Sequence, residues 1–92
     1  MNILKPQEIF LNNLENKNIG ILNTFEEDTV IKKSLFENEE LPNFNAYALN
    51  FEYCKFISIN LQNAVFEKVA FNDVIFSNCN FSNCKFVDCY FS

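Results

Sequence analysis

Residues 49–92 read LNFEYCKFISINLQNAVFEKVAFNDVIFSNCNFSNCKFVDCYFS and carry the most regular pattern in the chain. A large apolar residue stands at every fifth position: Phe51, Phe56, Leu61, Phe66, Phe71, Phe76, Phe81, Phe86 and Phe91. A smaller apolar residue stands two positions before each: Leu49, Cys54, Ile59, Ala64, Val69, Val74, Cys79, Cys84 and Cys89. A period of five is neither helical nor the alternation of a straight strand. It indicates a chain that turns a corner once per unit and stacks its units to bury them.

The units resemble the consensus of the pentapeptide-repeat family, A(D/N)Lxx or A(N/C)Fxx. Nine consecutive units fit it, and those centred on Phe81 and Phe86, CNFSN and CKFVD, are almost the consensus itself. The resemblance implies a right-handed quadrilateral β-helix, with four units and twenty residues in each coil. We therefore predict an all-β solenoid of about three coils with a short N-terminal helical cap.

A twenty-residue coil sorts the large apolar residues into four stacks. They are Ile31, Phe51, Phe71 and Phe91; Phe36, Phe56 and Phe76; Leu41, Leu61 and Phe81; and Ala46, Phe66 and Phe86. Phe dominates three of the stacks, and stacked aromatic rings supply the core that a thin solenoid needs. Glycine is almost absent, so we expect corners made by other residues, with the abundant Asn suited to turn conformations.

The same count extends the repeat backwards into a degenerate first coil, residues 29–48. Its small inward positions are held by Thr29, Ser34, Glu39 and Phe44. The first two are acceptable small residues, whereas the last two are poor ones. Pro42 also removes a backbone donor. We expect regular repeats only over residues 49–92.

Residues 1–28 lie outside the repeat, and we predict that they cap the β-helix formed by residues 29–92. Pro6 suits the first position of a helix. The segment Gln7–Asn16 follows with an apolar stripe at helical spacing, formed by Phe10, Leu11 and Leu14. We interpret this segment as a short helix over the open first coil, because an open β-helix end is an exposed sheet edge. The alternative is a partner-binding helix.

A second part of the cap, Asn18–Phe25, is a candidate for a strand that leads into the solenoid. It carries the apolar residues Ile19, Ile21 and Leu22. We found no targeting segment and no stretch long enough to span a membrane, and we expect a cytoplasmic protein without membrane contact.

The four cysteines all stand at small inward positions, and none lies over another in the twenty-residue register. We interpret them as buried small apolar residues. The spacing of Cys79, Cys84 and Cys89 is not a zinc pattern and the chain has no His, so we expect no metal and no cofactor. Unpaired thiols fit a reducing cytoplasm.

The net charge of −5 is concentrated in the first half of the chain. Residues 1–48 hold eight acids and four lysines, a net charge of −4, against −1 for residues 49–92. An acidic chain without Arg is a poor candidate for binding nucleic acid directly. The candidate partner-binding residues are two acidic clusters: Glu26, Glu27 and Asp28, and Glu37, Glu39 and Glu40. Solvated loops are the alternative interpretation of both clusters.

The repeat runs without a break to Phe91. We therefore expect the last coil to expose apolar surface and unpaired backbone groups. Either two chains pack end to end or the natural protein is longer. For the first case we predict a homodimer through Phe81, Phe86, Tyr90 and Phe91, since a two-fold dimer is the commonest way to cover one patch.

No combination of residues in the sequence indicates catalysis, since there is no His, no nucleophile with a plausible base and no glycine-rich loop. The resemblance implies acidic, rod-shaped dimers that imitate duplex DNA and bind DNA gyrase or topoisomerase IV. Three coils at ~4.8 Å cover only about 15 Å, so mimicry of a full duplex turn needs the dimer. We therefore predict an inhibitor of a nucleic-acid-processing enzyme, either a gyrase or topoisomerase or a phage-defence nuclease. A generic protein-interaction or scaffold module is the alternative.

Overall fold

In the computed structural model, short parallel strands follow one another around the four sides of a solenoid. The structure describes residues 14–16, 18, 20, 22 and 26–92. Its strands are β1 (Glu15–Asn16), β2 (Val30–Lys32), β3 (Ser34–Glu37), β4 (Asn45–Tyr47), β5 (Asn50–Glu52), β6 (Lys55–Ile57), β7 (Val65–Glu67), β8 (Ala70–Asn72), β9 (Ile75–Ser77), β10 (Lys85–Val87) and β11 (Tyr90–Phe91). The predicted all-β solenoid is confirmed.

Three sides are parallel sheets, and the fourth is held by isolated backbone bridges. In chain order we name them the β2 side (β2, β5, β8, β11), the β3 side (β1, β3, β6, β9), the bridge side and the β4 side (β4, β7, β10). On the bridge side, Asn60 pairs with Glu40 in the coil before it and with Asn80 in the coil after it. Apart from those of β1, paired residues lie twenty apart, as Phe51 and Phe71 do. The twenty-residue coil is therefore confirmed.

The core consists of phenylalanine rings stacked along the solenoid axis. Phe56 lies between Phe36 and Phe76, with 4.9 Å between ring centres on either side. Neighbouring stacks meet edge to face, as Phe51 and Phe56 do at 5.4 Å. Such ring pairs contribute about 0.5–1.5 kcal/mol each beyond the burial of their surface. The predicted stacks are thus present. They hold neighbouring coils together by side-chain packing, in addition to the backbone hydrogen bonds.

A residue with positive φ stands at every corner. Thirteen non-glycine residues, spaced five apart, have φ between 47° and 63°: Asp28, Lys33, Asn38, Asn43, Ala48, Tyr53, Ser58, Asn63, Lys68, Asp73, Asn78, Asn83 and Asp88. Eight of the thirteen are Asn or Asp, whose short polar side chains tolerate this left-handed conformation best among non-glycine residues. The predicted role of Asn at glycine-free corners is confirmed.

The first coil keeps its core by exchanging a small and a large residue. Phe44 occupies a small inward position, yet it is buried, and its ring lies 6.0 Å from that of Phe66. Ala46, the next inward residue, leaves the room for this ring. One coil later the order is reversed, with Ala64 followed by Phe66. The predicted misfit of Phe44 is wrong, because the two positions share one volume. Glu39 is half-buried at its small position.

Pro42 costs the solenoid no hydrogen bond between coils. It has the same place in its coil as Gln62 and Ser82. The backbone N–H groups of these two residues donate to the side-chain oxygens of Asn60 and Asn80, at 3.0 and 2.9 Å, and not to a neighbouring coil. The donor that proline lacks is therefore one that the ladder between coils does not use.

The N-terminal segment departs from our predictions where the structure describes it. Glu15 and Asn16 form strand β1 on the β3 side and not the end of a helix, so the helical cap predicted over Gln7–Asn16 is wrong at these residues. The rest of that prediction, apart from Leu14, lies outside the described residues. Strand β1 pairs with β3 at an offset of nineteen residues, because Glu15 lies opposite Ser34.

The predicted lead-in strand over Asn18–Phe25 is also wrong at its described residues. Gly20 and Leu22 have a 3-10 helical conformation, and the Gly20 N–H donates to Asn18 Oδ1 at 2.8 Å. Leu22 is buried in the core. At Leu22 the segment therefore contributes an apolar side chain to the core, and none of Asn18, Gly20 and Leu22 belongs to a strand. The domain boundary at residue 28 stays a prediction.

The cysteine thiols make hydrogen bonds between coils. Each Sγ lies near the carbonyl oxygen of the residue 23 positions earlier: Cys54 near Ile31 (3.3 Å), Cys79 near Phe56 (3.4 Å), Cys84 near Leu61 (2.8 Å) and Cys89 near Phe66 (3.1 Å). None of the four forms a disulfide in the described coils, and Cys54 is buried whereas the others are half-buried. The prediction of buried small residues holds fully for Cys54 only, because the other three lie in the last coil.

Replacing a strained corner residue by glycine should stabilise the fold. Ala48 has φ 55°, where a Cβ costs roughly 1–2 kcal/mol that glycine avoids. Glycine loses about 0.5–1 kcal/mol more entropy on folding. We expect Ala48→Gly to raise the free energy of unfolding by about 0.5–1 kcal/mol, measured in urea. The control Ala70→Gly, inside strand β8, should lower it by about 0.5–1 kcal/mol. Equal losses would contradict the strain at the corner.

Shortening a ring in the middle of a stack should be far more damaging than shortening one at its end. We expect Phe56→Ala to lower the free energy of unfolding by about 3–5 kcal/mol, since its side chain is buried between two rings. Phe91→Ala, at a position 58% exposed, should cost less than about 1 kcal/mol. Similar losses in thermal denaturation would show that the stacks do not carry the core.

Candidate interaction surface

Metal-binding side chains do not converge in the part of the chain that the structure describes. Residues 26–92, with the few described before them, contain no group of three or more Cys, Asp, Glu or His that could hold a metal ion. Across the same residues no helix is long and apolar enough to cross a membrane. The features that remain are charged and apolar surface patches and one cavity.

The first acidic cluster lies at the corner where the β4 side turns into the β2 side. Glu26 and Glu27 are exposed, and the Thr29 N–H and hydroxyl both donate to the Glu26 carbonyl oxygen, at 3.3 and 2.6 Å. Asp28 is the corner residue, and its N–H donates to the Ala48 carbonyl oxygen at 2.7 Å. Three consecutive acidic side chains are thereby fixed on a well-bonded turn and directed into solvent.

The second acidic cluster lies around the corner residue Asn38, where the β3 side turns into the bridge side. Glu37 ends strand β3 and Glu39 follows the corner, and both are half-buried. Glu40 is exposed and pairs with Asn60 through the backbone. Asp28 and Asn38 are ten residues apart, which is half a coil. The two clusters therefore lie at diagonally opposite corners, and the fold does not bring them together.

A cavity of about 430 Å³ lies beside the first acidic cluster. Its described lining residues are Leu22, Glu26, Glu27, Asn45, Ala46, Tyr47 and Leu49. Leu22, Ala46 and Leu49 are buried and give it an apolar wall, whereas Glu26 and Glu27 place two carboxylates at it. The cavity can accept a side chain with an apolar stem and a positive end.

Large apolar residues are exposed along one edge of the solenoid. Val30, Tyr47, Phe86, Val87, Tyr90 and Phe91 are each more than 40% exposed. All six lie on the β2 and β4 sides, which meet at the corner column of Asp28, Ala48, Lys68 and Asp88. The four outward-facing ones, Val30, Tyr47, Val87 and Tyr90, flank this column directly, and we call them the apolar edge. None of the large apolar residues described on the other two sides is as exposed.

The last coil also exposes inward-facing rings. Of the residues that we predicted to form a dimer interface, Phe86, Tyr90 and Phe91 are exposed and Phe81 is half-buried. Phe86 and Phe91 stack on Phe66 and Phe71 at 5.1 and 5.0 Å, and the opposite faces of these rings have no described ring over them. The expected exposure of apolar surface at this end is present.

Sequence reasoning missed the cavity and the apolar edge. One signal was available, since Ala46 is the only small residue in the stack it shares with Phe66 and Phe86. Leu22 gave no signal, because it lies outside the repeat and its burial depends on how the chain returns to the first coil. The apolar edge is formed by outward-facing residues of two neighbouring sides. These residues are seen to lie together only when the four sides are arranged around the solenoid axis.

Comparison with known proteins gives one positive result. A family model described as pentapeptide repeats (9 copies) matches residues 51–92, which are the regular coils. No curated protein and no solved structure matches the chain significantly. Pentapeptide-repeat β-solenoid proteins are generally non-catalytic. The family suggests a role in protein–protein interaction or as a scaffold. The residues matched, the twenty-residue register and the stacked inward rings agree, and residues 51–92 are a run of repeats similar to those of the pentapeptide-repeat family.

Proposed function

We propose that the protein is a non-catalytic binding module that contacts a basic protein partner through the outward surface of its first coil. The observation that carries this proposal is the charge of residues 26–48. They hold six acids and two lysines, a net charge of −4 out of −5 for the whole chain. Glu26, Glu27, Asp28 and Glu40 are all exposed. The four cysteines lie in the described coils and none of them forms a disulfide there, which fits a reducing compartment, and we propose the cytoplasm.

The partner class that fits such a surface is an enzyme that normally holds nucleic acid. Residues 26–48 fill little more than one coil, and each coil covers ~4.8 Å of the solenoid axis. Their net charge of −4 therefore corresponds to about one negative charge per 1.4 Å of axis. Duplex DNA carries about one charge per 1.7 Å. The first coil thus has a charge density near that of a duplex, whereas residues 49–92 have about one surplus charge per 10 Å.

This comparison limits the proposed mimicry to a short patch. The acidic coil covers an axial length of only one or two base pairs, at ~3.4 Å per pair. It would occupy a phosphate-binding pocket of a gyrase, a topoisomerase or a phage-defence nuclease and exclude the nucleic acid from it. We expect no direct binding of nucleic acid, because the same charge repels phosphate.

A scaffold or general interaction module is the second candidate function. The apolar edge and the nearly neutral regular coils favour it, because contacts through apolar surface do not need a basic partner. The two candidates differ in their response to salt. Binding through charge weakens as ionic strength rises, whereas binding through apolar surface changes little.

Charge removal in the first coil should abolish inhibition of a nucleic-acid-processing enzyme. We expect the protein to inhibit supercoiling by DNA gyrase, or duplex cleavage by a nuclease, at low salt and to lose this effect as salt is raised. The variant Glu26→Gln/Glu27→Gln should be weaker by about tenfold, because it removes two exposed charges. The control Asp73→Asn/Asp88→Asn removes the same charge from corners that tolerate Asn and should act like the wild type. Equal losses would exclude the first coil as the contact, and no inhibition of either enzyme would exclude this target class.

We further propose that two chains pack through their last coils, with the rings of Phe86 and Phe91 against each other. Phe91→Asp should then give a monomer or a poorly soluble protein, because a charge at the centre of an apolar interface is costly to bury. Light scattering at several concentrations measures the mass directly. Ser77→Asp, exposed on the β3 side, is the control and should leave a dimer. A wild-type monomer, or a dimer unchanged by Phe91→Asp, would refute this interface.

A further inference from the structure

We propose that the apolar edge binds one amphipathic α-helix of a partner protein, with the basic end of that helix over Glu26, Glu27 and Asp28. This inference rests on the proposed function as a protein-binding module, but it does not depend on the class of the target. It assigns the contact to one edge of the solenoid and names the shape and charge of what binds there.

The first step is the distribution of exposed apolar side chains around the axis. Tyr47 and Val87 end strands β4 and β10 on one side of the corner column, and Val30 and Tyr90 begin β2 and β11 on the other. Their exposed fractions are between 42% and 63%. Asn50, Ala70 and Glu67 stand between them in the same two columns, and Lys68 Nζ lies 5.8 Å from the centre of the Tyr47 ring. The edge therefore carries one exposed apolar pair at each end, and each pair is a small patch that a partner can cover.

The second step excludes an extended peptide as the occupant. The backbone along this edge is already bonded between coils, with Ala48 N–H donating to Glu67 O at 2.9 Å and Lys68 N–H donating to Val87 O at 2.9 Å. An added strand would therefore find few free backbone partners on the side of the solenoid. A helix satisfies its own backbone groups and needs only a side-chain surface.

The third step is a match of spacing. Tyr47 and Val87 are two coils apart, which is about 10 Å at ~4.8 Å per coil. A helix rises 1.5 Å per residue, so positions i and i+7 on one face are about 10.5 Å apart. Val30 and Tyr90 are three coils apart, about 14 Å, which corresponds to roughly ten residues of helix. A helix with apolar residues at i, i+3, i+7 and i+10 thus places two of them over each end pair, and the positions in between face Glu67 and Lys68.

The fourth step fixes the charge and direction of the helix. Three exposed acids stand at the end of the edge near Val30 and Tyr47. The corner at the other end holds one exposed acid, Asp88, and the corner between the two ends holds Lys68. Lysines are favoured in the last turn of a helix, and the cavity beside Glu26 and Glu27 has an apolar wall that suits a lysine stem. The helix therefore lies with its C-terminal turn at the first coil and its N-terminal turn near Tyr90.

The probe for this inference is a synthetic peptide of about 14 residues with leucines at i, i+3, i+7 and i+10 and with lysines in its last turn. We expect it to bind the full chain in a fluorescence anisotropy titration. Tyr47→Asp should weaken binding by about tenfold or more, because a charge interrupts the apolar contact. The control Ile57→Asp changes the residue with the same place in its unit on the β3 side and should bind like the wild type. Glu26→Gln/Glu27→Gln should weaken binding and reduce its dependence on salt.

Two results would overturn the inference. One is equal binding of Tyr47→Asp and wild type, and the other is equal binding of a peptide with the same lysines but scrambled leucines. A different result is expected if the proposed function is wrong and this inference is right. The protein would then inhibit neither enzyme, but the peptide would still bind Ile57→Asp more tightly than Tyr47→Asp. Inhibition that persists in Tyr47→Asp, together with no peptide binding, would leave the proposed function and remove this inference.

Discussion

Backbone pairing of strands whose opposite residues lie twenty positions apart is the constraint on which the solenoid depends. The strands contain two to four residues, too few to be stable alone. Each is held because the coil before it and the coil after it bond to the same backbone, as Lys85 N–H does to Ala64 O at 2.9 Å. A residue inserted in one unit would shift every later side chain off its stack. Register, not the strength of any one contact, is therefore what the sequence must preserve.

The corner residues are strained, and this strain explains which amino acids occupy the corners. A left-handed residue with a Cβ costs roughly 1–2 kcal/mol, and the described chain has thirteen of them. The strain is tolerated because each corner returns the chain to the next strand, where a ring is buried and the ladder continues. Asn and Asp hold eight corners and lower this cost. These eight corners therefore form without glycine, because Asn and Asp tolerate the left-handed conformation.

The periodic part of the chain could be predicted from the sequence because its contacts repeat at a fixed distance. Counting by twenty was enough to place Phe51 over Phe71, and the composition indicated corners without glycine. Counting by twenty does not show where the side chains of two neighbouring inward positions share one space in the core. Phe44 looked misplaced because each position was judged singly, whereas the structure fills the pair Phe44 and Ala46 as one space. Strand β1 was missed because residues 1–28 contain no repeat from which its nineteen-residue offset could be counted.

The acidic clusters could be located in the sequence, but their relation to each other needed the geometry of the coil. Ten residues separate the corners at Asp28 and Asn38, and ten residues are half a turn. Clusters that are neighbours in the chain thus face away from each other, and one flat partner surface can contact only one of them. The edge beside Asp28 combines acids, exposed aromatic rings and a cavity, whereas the edge beside Asn38 carries polar residues, two half-buried acids and the exposed Glu40. Because both edges have the same backbone, their difference lies only in outward side chains, which the core does not constrain. The contrast between the two edges is therefore the reason to assign the proposed contact to the edge beside Asp28.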